Sequence, residues 1–526
     1  MNTRLIGSVL VIMTSIFLPA AGNAVAQDTL STALNIDLQR IDETWNLLDQ
    51  YANEIWPGWT GYADVPFLID YPDGERMLIG HPNPPEGFKC LNNYQVHGKK
   101  VYLDSRNEIA LALRLPLLGG GGPIPFGIFN GVPVRTIHIQ LTSLEADSAM
   151  PGDSTSIDTG ARRIQTASEN QLLIYAHELY HCYQYKVYEN RYGNLQYNTD
   201  ENYATYAEIE GLALERAYTE TDPRRMKEYL RDFIVARDLK RRSMDTTEQL
   251  QESEEELMEG MATYVEMKIL DLVKVHHTPV ARSSGDPYFF GFADVDSLLQ
   301  AKLRKHEYSR AYTMDSRGKS YTFGALQGLL LDRITPGWKT DFYRNGIMPD
   351  RLVANALHIS AADKSIIAEG LKTRYAYDSI HNKHAGLIRE RDSALESIRG
   401  RKGLSFIIDL KRTNDFVTTH ADGKFYSFGI MYIYPAGIKK MKIEDVELTG
   451  LNTPMVVDQL YYMKWVDTDP KPGEDNYELK YSRKEGENVY YDATLTAGGF
   501  ILKAPKLEIA RSHDRVKITI LSKVHI

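Results

Sequence analysis

From Thr166 to about Val275 the sequence keeps a helical period, and after about Leu404 it changes to runs that alternate apolar and polar residues. That switch is the strongest constraint on the fold. A period of 3.6 residues puts apolar side chains on one stripe of a helix, whereas a period of two puts them on one face of a strand. The chain is therefore expected to be α+β, with helices and strands segregated along its length. Four helices are expected first, at Thr166–Arg191, Glu201–Glu220, Pro223–Arg242 and Thr247–Val275. Further helix is expected at Phe323–Arg333, Arg351–Ala356 and Ala362–Ile398. The last of these is charged and has no sustained heptad, so it reads as a solvated helical pair. Strands are expected at Ser405–Leu410, Lys424–Tyr434, Gln459–Trp465, Val489–Leu495 and Val516–Leu521. Turn signals such as Asp422-Gly423 separate them, a spacing that suggests a β-sandwich-like C-terminal domain.

The sequence ahead of Thr166 is mixed. Leu34–Tyr51 has the apolar spacing of an amphipathic helix. A stretch rich in Pro, Gly and aromatic residues follows it, where short strands and loops are expected. Lys99–Asp104 and Arg135–Leu141 alternate like strands. The glycine run Gly119–Gly122 lacks a following Gly-Lys-Ser/Thr, so it is not a phosphate loop. It reads as a flexible surface loop, one that could lie beside a cleft. Pro151–Gly160 reads as a polar loop.

At the start, Arg4, an apolar run from Leu5 to about Ala21 and the small-residue pattern Ala24-Val25-Ala26 read as a secretion signal. No cysteine stands at the cleavage site, so a lipoprotein anchor is not expected. No second stretch is apolar for long enough to span a bilayer. The expected divisions are 1–26 signal peptide, 27–160 mixed N-terminal part, 161–403 helical part and 404–526 β-rich domain. A periplasmic or secreted location follows from the signal.

With 526 residues and a net charge of −9, the chain lacks the basic excess of a nucleic-acid binder, and no nucleic-acid partner is expected. Its two cysteines, Cys90 and Cys182, are too few for a disulfide scaffold. They could pair with each other. Cys182 sits on a helix that must pack tightly, so a small buried thiol is the plainer expectation.

The segment His177-Glu178-Leu179-Tyr180-His181 carries the residues that can do chemistry. Histidines at i and i+4 share one helical face, about 5–6 Å apart at Cβ. A single tetrahedral zinc ion can take an imidazole nitrogen from each. Glu178 lies on the same part of the helix and can accept a proton from a zinc-activated water, then pass it to a leaving amine. The bland alternative is a pair of surface histidines on a solvated face. Leu172, Leu173, Ile174, Ala176 and Leu179 argue against it, because they make the helix a buried one, and buried polar side chains need partners.

A third ligand is needed. The nine residues after His181, CYQYKVYEN, offer neither a glycine nor a histidine, which excludes the arrangement with a third histidine soon after the motif. Two glutamates remain, Glu210 and Glu259, each opening a Glu-Gly-x-Ala segment. Glycine and alanine would let either helix approach the histidine helix closely.

HELYHCYQ followed by EGMATYVE resembles the gluzincin metallopeptidases, in which HExxH is followed by a helix opening with Glu-Gly-x-Ala-x-Tyr. The resemblance covers Thr166–Glu266. It implies a zincin-like catalytic domain, a Zn2+ cofactor, a peptide or protein substrate, and that glutamate as the third zinc ligand. Glu259, followed by Tyr264, matches the fuller pattern. Glu210 has Glu215 in place of the tyrosine, but its shorter separation from His181 is the more usual one in that group. Glu259 is preferred narrowly, and the other glutamate could orient a histidine. The Gly-x-Met-Glu-Asn segment of the related aminopeptidases is absent, so aminopeptidase activity is not implied. Tyr321–Arg333 with Pro336-Gly-Trp-Lys339 also resembles the helix and turn that close such domains, although a core helix with a small-residue stripe explains it equally well.

A tetrahedral oxyanion needs a donor besides the metal. Tyr264 and Tyr321 are candidates, each more simply a phenol at the edge of the core. Two other functions stay open at this point: a zinc-containing binding or scaffold protein, and a zinc hydrolase of a non-peptide amide or ester. The C-terminal domain could engage a glycan or a protein partner.

Overall fold

The computed structural model describes residues 32–71, 75–104, 118–142, 168–188, 200–276, 289, 291–299, 316–340, 342–400, 405–409, 426–428, 431–433, 438–443, 446–451, 455–457, 460–464, 477–497, 500–512 and 515–521. The expected secretion signal and the polar loop at Pro151–Gly160 lie outside these residues. The architecture is α+β: N-terminal strands, a central helical region and a C-terminal sheet.

Helix α1 (Thr32–Ile55) buries Ile41, Trp45, Leu48 and Ile55, spaced three, four and seven apart, as one stripe requires. A six-stranded sheet follows: β1 (Phe67–Asp70), β2 (Arg76–Ile79), β3 (Lys89–Val96), β4 (Lys99–Asp104), β5 (Leu118–Phe129) and β6 (Val132–Thr142), in the order β3-β4-β2-β1-β6-β5. Only β1 and β6 run parallel to each other. The glycine run expected as a loop belongs instead to β5, where Gly119 to Gly122 pair with Leu141 to His138 of β6. Glycine disfavours a strand on its own. Here the neighbouring strand, with its buried Ile137 and Ile139, supplies the ladder that the glycines join.

The helical region comprises α2 (Ser168–Val187), α3 (Glu201–Thr219), α4 (Pro223–Arg241), α5 (Thr246–Glu255), α6 (Met261–His276), α7 (Ser316–Ile334), the short α8 (Phe342–Asn345), α9 (Pro349–Leu357), α10 (Ala361–Arg374) and α11 (Tyr377–Gly400). Caps fix several of these boundaries. Asp200 accepts from the Tyr203 N–H, Asp222 precedes Pro223 at the first position of α4, and Asp245 forms a capping box with Glu248. The single helix expected over Thr247–Val275 is two helices joined by a π-helical turn, Glu256–Gly260. A π turn carries an extra residue per hydrogen-bonded ring and often marks a functional site. Its neighbour explains its composition: a Cβ on Gly260 would run into the backbone of Gly324 on α7, and a Cβ on Gly324 into that of Gly260.

One hydrophobic core runs through the N-terminal strands and the helical region together. Trp56, just after α1, joins them, its ring against Tyr180 of α2, Tyr264 of α6, and Trp338, Phe342 and Tyr343. A second core, with Phe406, Ile408, Leu502, Val516 and Ile518, belongs to the C-terminal sheet alone. That sheet joins β7 (Ser405–Asp409), β8 (Tyr426–Phe428), β9 (Met431–Ile433), β10 (Ile438–Ile443), β11 (Val446–Leu451), β12 (Met455–Val457), β13 (Leu460–Lys464), β14 (Glu478–Lys480), β15 (Arg483–Glu485), β16 (Val489–Ala497), β17 (Phe500–Ser512) and β18 (Arg515–Ile520) in one hydrogen-bonded network. Strand β18 pairs in parallel with β7, which ties the end of the domain to its beginning. Among the described residues no helix is long and apolar enough to cross a membrane.

Candidate metal centre

Helix α2 is buried nearly all round, and His177, Glu178 and His181 are buried with it. The two histidines are one turn apart, with ring centroids 4.6 Å apart. The π turn brings Glu259 to them. Its Oε2 lies 3.4 Å from Nε2 of His177 and 3.3 Å from Nε2 of His181. Among the described residues, these three form the one group that could hold a metal ion.

The spacing tests that reading. Tetrahedral ligands about 2.0–2.1 Å from a zinc ion stand roughly 3.3 Å from one another. A charge-assisted hydrogen bond between imidazolium and carboxylate is shorter, about 2.7–2.9 Å. The observed separations match ligands of one ion better than they match partners in a direct bond. Imidazole and carboxylate together are also a donor set that suits zinc.

The outward-facing ring nitrogens are held as well. Nδ1 of His177 lies 2.6 Å from Oε1 of Glu266, and Nδ1 of His181 lies 2.6 Å from Oε1 of Gln184. Each contact turns the Nε2 of its ring toward Glu259, the arrangement that orients metal-binding histidines. Gln184 does a second job. Its Nε2 donates to the carbonyls of Leu257 and Met258, so the same side chain ties His181 to the π turn that presents Glu259. Sequence reasoning assigned no role to Glu266 or Gln184. Their signal was spacing: Glu266 is two turns beyond Glu259, and Gln184 is three residues beyond His181.

Charge follows geometry. Burial pushes the His177 imidazolium down, but Glu259 and Glu266 outweigh it and hold the ring up at about 10. Burial likewise opposes a charged Glu259, yet His177 and His181 hold its carboxyl far below the ordinary range. Glu178 behaves differently. Burial raises its carboxyl, and the two histidines only partly offset this. It has no place in the group of three, and its Oε2 would lie 3.7 Å from a Cβ at Gly122 of β5. The glycine run thus passes over Glu178 and offers it no side chain there.

The remaining candidates separate clearly. Tyr321 stacks on His177, with ring centroids 5.8 Å apart and planes 13° from parallel. Tyr264 is committed elsewhere: its hydroxyl donates to Asp332 at 2.8 Å and accepts from Lys339 at 2.9 Å, neither of which belongs to the histidine group. Its ring packs against Gly328, where any Cβ would collide with it. Glu210 is not brought to the histidines at all. It is wholly buried and ion-paired with Arg237, Lys240 and Lys319. Cys90 and Cys182 are both free; Cys90 is exposed on β3, and Cys182 is buried in α2, where burial pushes its thiol up to about 12.

Comparison with protein-family models, with curated proteins and with solved structures finds no significant match for this chain.

Proposed function

We propose that the protein is a zinc-dependent hydrolase of peptide bonds, with His177, His181 and Glu259 as the metal ligands and Glu178 as the general base. The observation that carries this reading is the convergence of two Nε2 atoms and one carboxylate oxygen at 3.3–3.4 Å, with a buried carboxylate next to them that takes no part in the group. Zinc bound there would polarise a carbonyl and lower the pKa of water to about 7.

The chain's own residues supply the rest. Glu178 takes a proton from the attacking water on its carboxylate and returns it to the leaving amine. A carboxyl raised by burial is suited to both steps, because its proton affinity lies closer to neutrality. Glu266 and Gln184 keep the histidine rings turned. Tyr321, stacked on His177, is the remaining phenol that could donate to the oxyanion.

The edge strand supports a peptide substrate over another amide or ester. Among the described residues, strand β5 lies at one edge of its sheet. A proline nitrogen bears no hydrogen, so the ladder accommodates Pro123 and Pro125 where those nitrogens face away from β6. Gly119 and Gly121 share that parity, so their N–H groups also face the open edge. An extended peptide can add there as a further strand, passing close to Glu178. A purely structural zinc site normally fills all four positions from the protein. Among the described residues this group has three members, which favours hydrolysis over a scaffold role.

The test is the Glu178→Gln variant, assayed with zinc content measured in parallel on an unbiased peptide mixture. Zinc should stay bound at one equivalent while hydrolysis falls by a factor of roughly 10²–10⁴, the usual contribution of a general base. Hydrolysis at the wild-type rate would remove Glu178 from the mechanism and the peptidase reading with it.

A further inference from the structure

Beside the metal group, between the β5–β6 hairpin and the last turn of α2, lies a recess of about 240 Å³ lined by Pro123, Ile124, Pro125, Pro133, Arg135 and Tyr185. Sites for whole small molecules are larger, roughly 300–1,000 Å³. This one is the size for a single side chain or chain end. We propose that it is the subsite for a carboxylate of the substrate, with Arg135 as the residue that selects it. The proposal rests on the peptidase reading and adds to it a substrate class.

Three observations point there. First, Arg135 has no carboxylate partner among the described residues. Its guanidinium lies 4.8 Å from the centre of the Tyr185 ring. Several arginines of the same core are instead paired with acids: Arg40 with Asp37, Arg76 with Asp104, Arg237 with Glu210 and Glu256, and Arg374 with Asp232. Stacking holds a guanidinium in plane and leaves its fork of N–H donors free for a carboxylate.

Second, the recess is joined to the metal group. Tyr185 is one helical turn beyond His181, and their ring centroids are 6.3 Å apart. The remaining walls are proline and isoleucine, which offer no competing acid.

Third, the strand sets a distance. Arg135 is opposite Pro125, three residues along β5 from Gly122, the residue beside Glu178. At about 3.3 Å per residue, that is roughly 10 Å. A peptide extended along this edge would place a residue two or three positions from the scissile bond at Arg135. The carboxylate is either an Asp or Glu side chain at that position or the C-terminus of a peptide that ends there.

The experiment uses the full-length Glu178→Gln protein loaded with zinc, so that bound peptide stays intact. Probes are fluorescent nonapeptides of neutral sequence carrying one Glu or one Gln at each position in turn, each made with a free or an amidated C-terminus. At least one Glu peptide, or the free-acid series, should bind about tenfold tighter than its Gln or amide counterpart. A preference tied to Glu position identifies a side-chain carboxylate; one tied to the free acid identifies the C-terminus. Arg135→Ala should abolish the preference, Arg135→Lys should keep part of it, and Arg135→Glu should turn it toward Lys peptides. Equal binding of all pairs, no measurable binding, or a preference that Arg135→Ala leaves intact would overturn the proposal. Wild-type cleavage of the same peptides separates the two readings. Cleavage without any carboxylate preference sinks the subsite alone, whereas carboxylate binding without cleavage sinks the peptidase reading and the subsite's role with it.

Discussion

Glu210-Gly211-Leu212-Ala213 on α3 and Glu259-Gly260-Met261-Ala262 at the π turn carry one local pattern. Their surroundings differ completely. Glu210 faces three cations, within a buried cluster that also takes in Arg241, Glu252, Glu256 and Asp350. Four basic and four acidic side chains balance there, so burial is tolerated because every charge has an opposite neighbour. Glu259 faces two imidazoles. Histidine, unlike lysine, can give up its proton near neutrality and bind a metal instead. One glutamate is thereby held in a structural lattice and the other in a group that could take a cation. The two are connected, because Arg237, which binds Glu210, also grips both oxygens of Glu256 in the π turn that presents Glu259.

Paired substitutions should break the comparison most sharply. Glu210→Ala leaves the buried cluster with one uncompensated positive charge, although Arg237 keeps Glu256 and Lys240 keeps Glu252, and should cost about 3–5 kcal/mol of stability, as breaking a buried ion pair usually does. Protein that remains folded should keep its zinc. Glu259→Ala should show the reverse emphasis, with loss of zinc during dialysis against a mild chelator as its main effect, beside the loss of the carboxylate's contacts with His177 and His181. Urea denaturation and metal analysis on both variants read the two effects. If Glu210→Ala empties the site while the protein stays folded, the assignment of roles is wrong.

Acid should act on one member of the pair through a known window. Arg237, Lys240 and Lys319 overcome burial and lower the Glu210 carboxyl from 4.5 to about 2. A depressed carboxyl contributes stability that is complete above its unfolded value and disappears as pH falls through the folded one. The metal-free protein should therefore lose stability steeply between about pH 4.5 and 2, and Glu210→Gln should show a shallower slope over that range. Identical slopes in thermal melts would show that this carboxylate is not the group being titrated.

The smallest effect concerns the support around the metal group. Glu266→Gln keeps the shape at Nδ1 of His177 but removes the charge. Zinc affinity should fall by about 10–100-fold, the range typical for a partner that orients a ligand. Competition against a chromogenic chelator measures it, and unchanged affinity would mean that Glu266 only fills space.

Much of this molecule was legible before its structure. The helices at Glu201–Thr219 and Pro223–Arg241 stand within a residue of expectation, since Asp200 and Asp222 cap them and Pro223 starts the second. Lys99–Asp104 is the strand its alternation announced. His177, Glu178 and His181 share a buried helix, as an i, i+4 pair on an apolar background must. Three things were not legible. The π turn leaves no mark in helical periodicity. The glycine run has no side chains to show a strand period, and becomes a strand because β6 pairs with it. The two Glu-Gly-x-Ala segments are alike in sequence, and only their distant neighbours tell them apart.

The sequence by itself determined where most of the helices and several of the strands form and which three side chains of α2 stand together, because those depend on residues within a turn or two of one another. The tertiary structure alone decided that Glu259 meets the histidines and Glu210 the cations, that Glu266 and Gln184 steady the rings, and that Arg135 lies against the Tyr185 ring. Charge and coordination act through space over a few ångströms, and which residues come that close is set by the packing of α2 against the π turn, α6 and the β5–β6 hairpin.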